Sequence, residues 1–181
     1  ESYLNALLGF PAGYEGNGVP YRFASYQKDK LSFTVGNFYE QFGNGLILRT
    51  YEERGLGYDN AFDGIRLKYE LTKGLNLTGL IGKQRIFFDY GEGIVRAFDA
   101  ELQVNQVFEP LSKSKTNIIL GGSAVSKYQA DQDSRYVLPE NVGSFAGRIN
   151  VHRGKVNLNA EYAYKINDPS SDNGFIYKPG E

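Results

Sequence analysis

The chain has 181 residues, with Lys plus Arg 20 against Asp plus Glu 21, and Cys 0. That length suits one domain with a real core, the balanced charge gives no field that draws nucleic acid, and the missing thiols exclude disulfide frameworks, cysteine nucleophiles and cysteine-bound metals. Gly 22, Tyr 14 and Phe 12 without Met or Trp favour strands and turns over helices.

No run approaches the roughly 18 apolar residues of a membrane helix, and no signal-peptide pattern opens the chain. Strands of a membrane barrel alternate and leave almost no hydropathy signal, so that class stays open. "ESYLNALLGFP" has no initiator Met and reads as a strand end entering a loop, the expectation being a processed or truncated chain. "YRFASYQ" and "LSFTVGN" flank Lys28-Asp29-Lys30 and form a first hairpin. From Ile65 the period is 2: Ile65, Leu67, Tyr69 and Leu71 share one face, and Arg66, Lys68 and Glu70 the other. After Thr72-Lys73-Gly74, a strand runs from Leu75 to about Phe88, with Leu75, Leu77, Gly79 and Ile81 opposite Asn76, Thr78, Leu80 and Gly82.

Ile94 to Phe108 repeats the pattern, with Phe98, Ala100, Leu102 and Val104 against Asp99, Glu101, Gln103 and Asn105. "NIILGGSAVSKY" is the least decisive strand. "SFAGRINVHRGKVNLNAEYAYKI" is a further hairpin turning at Arg153-Gly154. Its polar side carries Arg148, Asn150, His152, Asn157, Asn159, Glu161 and Lys165. Short connections at Lys28 to Lys30, Thr72 to Gly74, Pro110 to Lys115 and Arg153 to Lys155 alternate with longer ones at Asn37 to Asp63, Asp89 to Gly93, Gln129 to Gly143 and after Asn167. Antiparallel neighbours put alternate connections at the same end, so one end carries short turns and the other long loops, as in outer-membrane barrels.

Alternation alone leaves open which face is buried, because a soluble β-barrel or sandwich shows it too. Strands of 10 or more residues match the membrane requirement of about 9 to 11. Apolar rows that end in aromatics (Tyr69, Phe87, Phe88, Phe98, Phe108, Tyr162, Tyr164) suggest an interfacial girdle, although it lacks Trp. Eight strands fit between Pro20 and Lys165, with a ninth ending near Leu4, in a single domain over 1–181. The expected fold is therefore all-β: an antiparallel up-and-down transmembrane β-barrel, or the fragment of a larger one.

"GNFYEQFGNGLILRTYEERGLGYDNAFDGIRLKY", followed by "GKQR" at Gly82 to Arg85 and preceded by "YLNALLGFPAGYEGNGVPYRFASY", resembles an uncharacterised outer-membrane barrel family of Bacteroidetes, a domain of unknown function. The resemblance runs from about Tyr3 to Arg85 and more loosely to the C-terminus. It implies a barrel made from a longer chain, of which this is the N-terminal part, and it implies no reaction, cofactor or catalytic residue.

Gly43 and Gly45 form a GxG, but no helix start follows, so a tight bend is the better reading than a phosphate cradle. Glu40, Glu52, Glu53, Asp59 and Asp63, with Arg49 and Arg54, contain enough carboxylates for a glycosidase-type pair. They read better as a solvated or salt-bridged loop. Asp59, Asn60 and Asp63 lack the EF-hand spacing, and "DQDSR" at Asp131 to Arg135 is a similar oxygen-rich loop. His152 is the sole histidine and has no GxSxG elbow to serve. Asn76-Leu77-Thr78 is a sequon in mid-strand, where glycosylation does not act.

The expectation is thus a non-enzymatic protein of the bacterial outer membrane, without cofactor or metal. It passes or binds a small solute or glycan, or has a structural place among envelope proteins, in contact with outer-membrane lipid and not with nucleic acid. Arg66, Lys68, Glu70, Asp99, Glu101, Gln103, Arg148, Asn150, Asn157, Asn159 and Glu161 would face a lumen of mixed charge, open or packed shut by its own salt bridges. The loop from Asn37 to Asp63 would fold inward as an extra hairpin, with Arg49, Glu52, Glu53 and Arg54 at a constriction. The alternatives are a soluble β-barrel ligand-binding module and an envelope lipid- or polysaccharide-processing enzyme.

Overall fold

A computed structural model of the chain describes residues 2–3, 15–86, 88–131, 139–166, 171–172 and 175–176. The protein is all-β, dominated by one antiparallel sheet of eight strands. We number them β1 (Phe23–Lys28), β2 (Leu31–Phe38), β3 (Phe62–Thr72), β4 (Leu75–Ile86), β5 (Asp89–Gln103), β6 (Thr116–Tyr128), β7 (Asn141–Arg153) and β8 (Val156–Ile166). Each strand pairs with its sequence neighbour, so the sheet is a simple meander. Among the described residues β1 and β8 do not pair with each other, and no closed barrel is formed. Ser2–Tyr3, expected as a ninth strand, pairs instead with Gly16–Asn17 in a separate ribbon.

The register lines up side chains across all eight strands. One row reads Tyr26, Phe33, Leu67, Gly79, Phe98, Ala124, Phe145 and Tyr164, without a charge. The residues one place along point to the opposite face, because strand side chains alternate. They give Gln27, Ser32, Lys68, Thr78, Asp99, Ser123, Ala146 and Ala163. The apolar row is the exposed one: Phe98 and Phe145 are each 49% exposed and Tyr162, on the same face of β8, is 73%. Asp99 and Ser123, from the polar row, are buried.

What buries the polar face is the segment between β2 and β3, residues 39–61. Phe42 and Leu48 from this segment form the apolar core with Phe38, Phe62, Leu80 and Ala97, and Val95 and Val125 pack against it. Leu80, Ala97 and Val125 lie on the polar face of the sheet, since they follow the register of Arg66. An apolar island in the middle of an otherwise hydrophilic surface is the landing site of the segment.

Three expectations are corrected. The strand expected to reach Phe108 ends at Gln103, and residues 104–115 hold a helical turn at Val104–Val107 and a tighter one at Glu109–Leu111. Asn105 causes the departure: its Nδ2 donates to the carbonyls of Leu111 and Thr116 at 2.8 Å each, and its Oδ1 accepts from Ile118 N at 2.9 Å. Conversely, Asp89 to Gly93 is not a long loop but the start of β5, which pairs back to β4 across a register shift between Lys83 and Arg85. The end with the long segments 39–61 and 129–140 therefore also carries one tight turn, and the opposite end carries one helical connection among its short turns. Of the aromatics expected to end apolar rows, Phe98 lies midway along β5, in one register row with Tyr26, Phe33, Phe145 and Tyr164, and Phe108 lies beyond the strand, while Phe87 is outside the described residues.

Gly36 shows how tightly the first hairpin folds. Its φ is 98°, and a Cβ there would run into the Arg22 carbonyl, beside the 2.7 Å hydrogen bond from Asn37 N to Arg22 O. Gly36→Ala combines a left-handed strain of about 1–2 kcal/mol with a backbone clash. It should lower unfolding free energy by at least about 2 kcal/mol, while Gly122→Ala, whose Cβ meets nothing within 4 Å, should be within about 0.5 kcal/mol of the parent in denaturant titration.

Candidate functional site

The covering segment begins as a finger. Phe42 N donates to Leu48 O at 3.1 Å, Thr50 N to Glu40 O at 2.9 Å and Gly45 N to Phe42 O at 2.9 Å, with a bridge between Gln41 and Arg49. Gly43 and Gly45, at φ 53° and 86°, make the reversal at its tip. The GxG is thus a bend, as read from the sequence, and no helix follows it.

The finger is held at its base by charge. Glu40 Oε2 takes Lys68 Nζ at 2.7 Å and Arg66 NH1 at 3.1 Å, and Arg66 also donates to the Tyr39 carbonyl at 3.0 Å while lying 5.1 Å over the Phe38 ring. At its tip, Asn44 N donates to Glu161 Oε2 at 2.6 Å and Asn44 Nδ2 to Asn159 Oδ1 at 2.8 Å. The base thus binds β3 and the tip binds β8, so the sheet curves around the finger. Gly43 permits this approach: a Cβ there would stand 2.7 Å from Glu161 Oε2 and 2.8 Å from Arg148 Cδ.

Beneath the tip lies a second charge cluster. Arg148 reaches across β6 to Asp99 with two hydrogen bonds, 2.7 and 2.9 Å, and adds Ser123 Oγ at 2.9 Å and Glu101 Oε2 at 3.4 Å. Ser123 Oγ donates to Asp99 at 2.5 Å. The fork geometry satisfies both carboxylate oxygens, which a lysine would not do. Gly121 makes room, since a Cβ there would overlap the guanidinium.

The return of the segment is locked by a buried ion pair between Asp59 and Arg85. Asp59 Oδ1 also accepts from Tyr39 OH and Ala61 N, both at 3.0 Å, and Arg85 N donates to Ala61 O at 2.7 Å. Tyr21 stacks on Tyr39 with centroids 5.6 Å apart, and the Arg85 guanidinium lies 5.5 Å from the Tyr21 ring. Burial, then the Asp59 charge and hydrogen bond, push the Tyr39 phenol well above its ordinary value of 10.0. Burial also raises Tyr21.

The finger divides the space over the polar face. A cavity of about 690 Å³ lies on the long-loop side, walled by residues including Arg49, Gln84, Val125 and Lys127. A second, of about 510 Å³, lies on the short-turn side among Glu40, Lys68, Glu70, Asp99, Glu101 and Arg148. They share no wall residue.

The sequence-derived candidates fall into distinct places. Arg66, Lys68, Asp99, Glu101, Arg148, Asn159 and Glu161 belong to the ion-pair and finger contacts above. Glu70, 3.9 Å from Lys30, lies on the same face, as do Gln103, which accepts from Gln106, Asn150, paired with Ile119 and Asn159, and Asn157, paired with His152. Arg49 lines the larger cavity with its guanidinium 4.7 Å over the Tyr51 ring. Glu52 and Glu53 are exposed on a ribbon, Glu52–Glu53 against Tyr58–Asp59, and line neither cavity. The reach across to β8 is made by Phe42 to Asn44, whereas the glutamates belong to a ribbon that pairs with itself. The Arg54 side chain and most of "DQDSR" lie outside the described residues. Of the oxygen-rich trio, Asp59 is taken by Arg85, Asn60 Oδ1 accepts from Tyr51 N at 2.7 Å, and Asp63 accepts from Tyr90 OH at 2.8 Å. Phe42, Asn44 and Arg85 carry no motif that marks a site; Leu80, Ala97 and Val125 at polar-face parity are the sequence clue to where the finger docks.

The model of a family of unknown function, DUF6029, matches residues 1–181. The chain belongs to this family. No curated protein and no solved structure matches it.

Family membership assigns no chemistry, so the finger's anchoring is the property to test. A phenol held protonated by the fold contributes stability below pH 10 that is lost as pH rises through its raised value. Phenolate absorbance in an alkaline titration should show late ionisation of Tyr21, Tyr39 and Tyr90, the latest part of which disappears in Tyr39→Phe, and loosening of the parent should begin above pH 10.

Proposed function

We propose that this sheet is wall from a transmembrane β-barrel of a bacterial outer membrane, with its lumen occupied by the finger. The observation that carries the reading is the inverted polarity of the sheet. An uncharged row spanning eight strands faces outward and exposed, while ion pairs and the finger cover the inner face. Membrane barrels alternate apolar-out and polar-in, whereas a soluble sheet with one covered face turns its apolar side to the core. The strand lengths of 11 to 15 residues from β3 to β8 also meet the membrane requirement. Lipid leaves no water for an open backbone edge, so the reading requires β1 and β8 to pair with further strands in the membrane.

The interior supports a plugged, solute-binding or structural barrel in preference to an open pore. The finger spans from β3 to β8, and the apolar cluster around Phe42 fills the middle. Glu40 and Asp59, the carboxylates best buried in this region, are committed to cations, which supports a non-enzymatic role.

With the full chain folded into liposomes, Leu67→Arg and Phe98→Arg should each reduce the folded, membrane-inserted fraction by an amount equivalent to about 2–4 kcal/mol. Thr78→Arg, on the inner face, should not. Equal tolerance of all three, with folding in detergent-free buffer, would sink the membrane reading. In planar bilayers the parent should show no steady conductance, and removal of residues 41–48 should produce it.

A further inference from the structure

The cavity on the long-loop side is lined by both apolar and charged side chains. The apolar ones include Leu46 and Ile47 from the finger, with Val125 from β6 and Val142 from β7. Arg49, Lys127 and Lys165 line the same cavity. Among the described residues neither Arg49 nor Lys127 lies within salt-bridge distance of a carboxylate. Arg49 rests on Tyr51, and the stem of Lys127 lies over Gly93 where any Cβ would collide with it. This differs from the opposite cavity, where Lys30, Lys68 and Arg148 each lie within salt-bridge distance of an acid group. Of the acids that line the larger cavity, Glu140 accepts at Oε1 from the backbone N of Asp131 at 3.4 Å.

We propose that this cavity binds an amphipathic monoanion, a short fatty carboxylate, with its chain against Leu46, Ile47, Val125 and Val142 and its head group on Arg49 and Lys127. The inference rests on the plugged-barrel reading and names the ligand class of that same interior. An apolar pocket with a few convergent polar groups is the usual form of a small-ligand site. A carboxylate gains charge-assisted hydrogen bonds there, while its methylenes leave water. A volume of about 690 Å³ accommodates a chain of eight carbons without displacing the finger.

The test uses the full chain in lipid nanodiscs, with ω-fluorooctanoate observed by fluorine NMR and empty nanodiscs as the blank. Saturable broadening beyond the blank is expected. Competition by hexanoate should be roughly tenfold weaker than by octanoate. Arg49→Gln with Lys127→Gln should weaken octanoate about tenfold and leave octanol unchanged. Glu52→Gln with Glu53→Gln, outside the cavity, should change nothing. Protein that inserts into nanodiscs but binds octanoate no better than the blank overturns the site. Octanol competing as well as octanoate, or inorganic phosphate displacing the probe as effectively, overturns the ligand class. Failure to insert at all is a separate result that strikes the membrane reading, and binding in buffer without lipid would relocate the site to a soluble protein.

Discussion

The architecture depends on the burial of a charged surface by the protein's own chain. Six strands, β3 to β8, turn a face towards the interior on which Arg66, Lys68, Asp99, Glu101, Arg148 and Glu161 stand close together. Charges withdrawn from water are costly unless each meets an opposite charge and a full set of hydrogen bonds. The finger supplies part of that set: Glu40 neutralises the two cations of β3, and the tip amide gives Glu161 Oε2 a donor, while Glu161 Oε1 is buried without a hydrogen bond. Arg148 is satisfied within the sheet, by acids on the strand two places away. The finger, in turn, is shaped by where those groups are.

Glycine is what allows such close approach. Gly43 lets the tip pass over Arg148 and Glu161, and Gly121 opens the space into which the Arg148 guanidinium folds. A methyl group at either position would push apart the partners that make the interior electrically quiet. Both glycines thus act through the side chains of their neighbours.

Much of the sheet was legible because period-2 alternation is a local property. The hairpins at Asp29, Lys73 and Arg153 and the two-faced strand from Ile65 to Leu71 appear in the structure at the expected parity. Strand ends were less legible where a side chain replaces the ladder. Asn105 looked like one more polar-face residue, yet its amide binds three backbone groups and turns the chain into a helical connection. Likewise the register shift after Lys83 let Asp89 to Gly93 remain strand, although its glycines and acids suggested a loop. For the interior, the like-parity charges could be grouped but not paired, since Arg148 to Asp99 and Asn44 to Glu161 depend on curvature that no local pattern carries. The glutamate pair at Glu52 and Glu53 stands out by composition, while the contact with β8 is made by Asn44, which carries no such signal.

The separation between Asn44 and Glu161 is 117 positions, whereas every rung of the sheet joins strands adjacent in sequence. Closing so long a loop costs more chain entropy than closing any hairpin, and that cost is met only once the distant partner is in place. The rungs of the sheet are therefore the cheaper contacts to close, and the finger-tip contact requires β8 to be in place. Until then the polar face remains hydrated, which delays the loss of water from its charges to the moment when their partners are present.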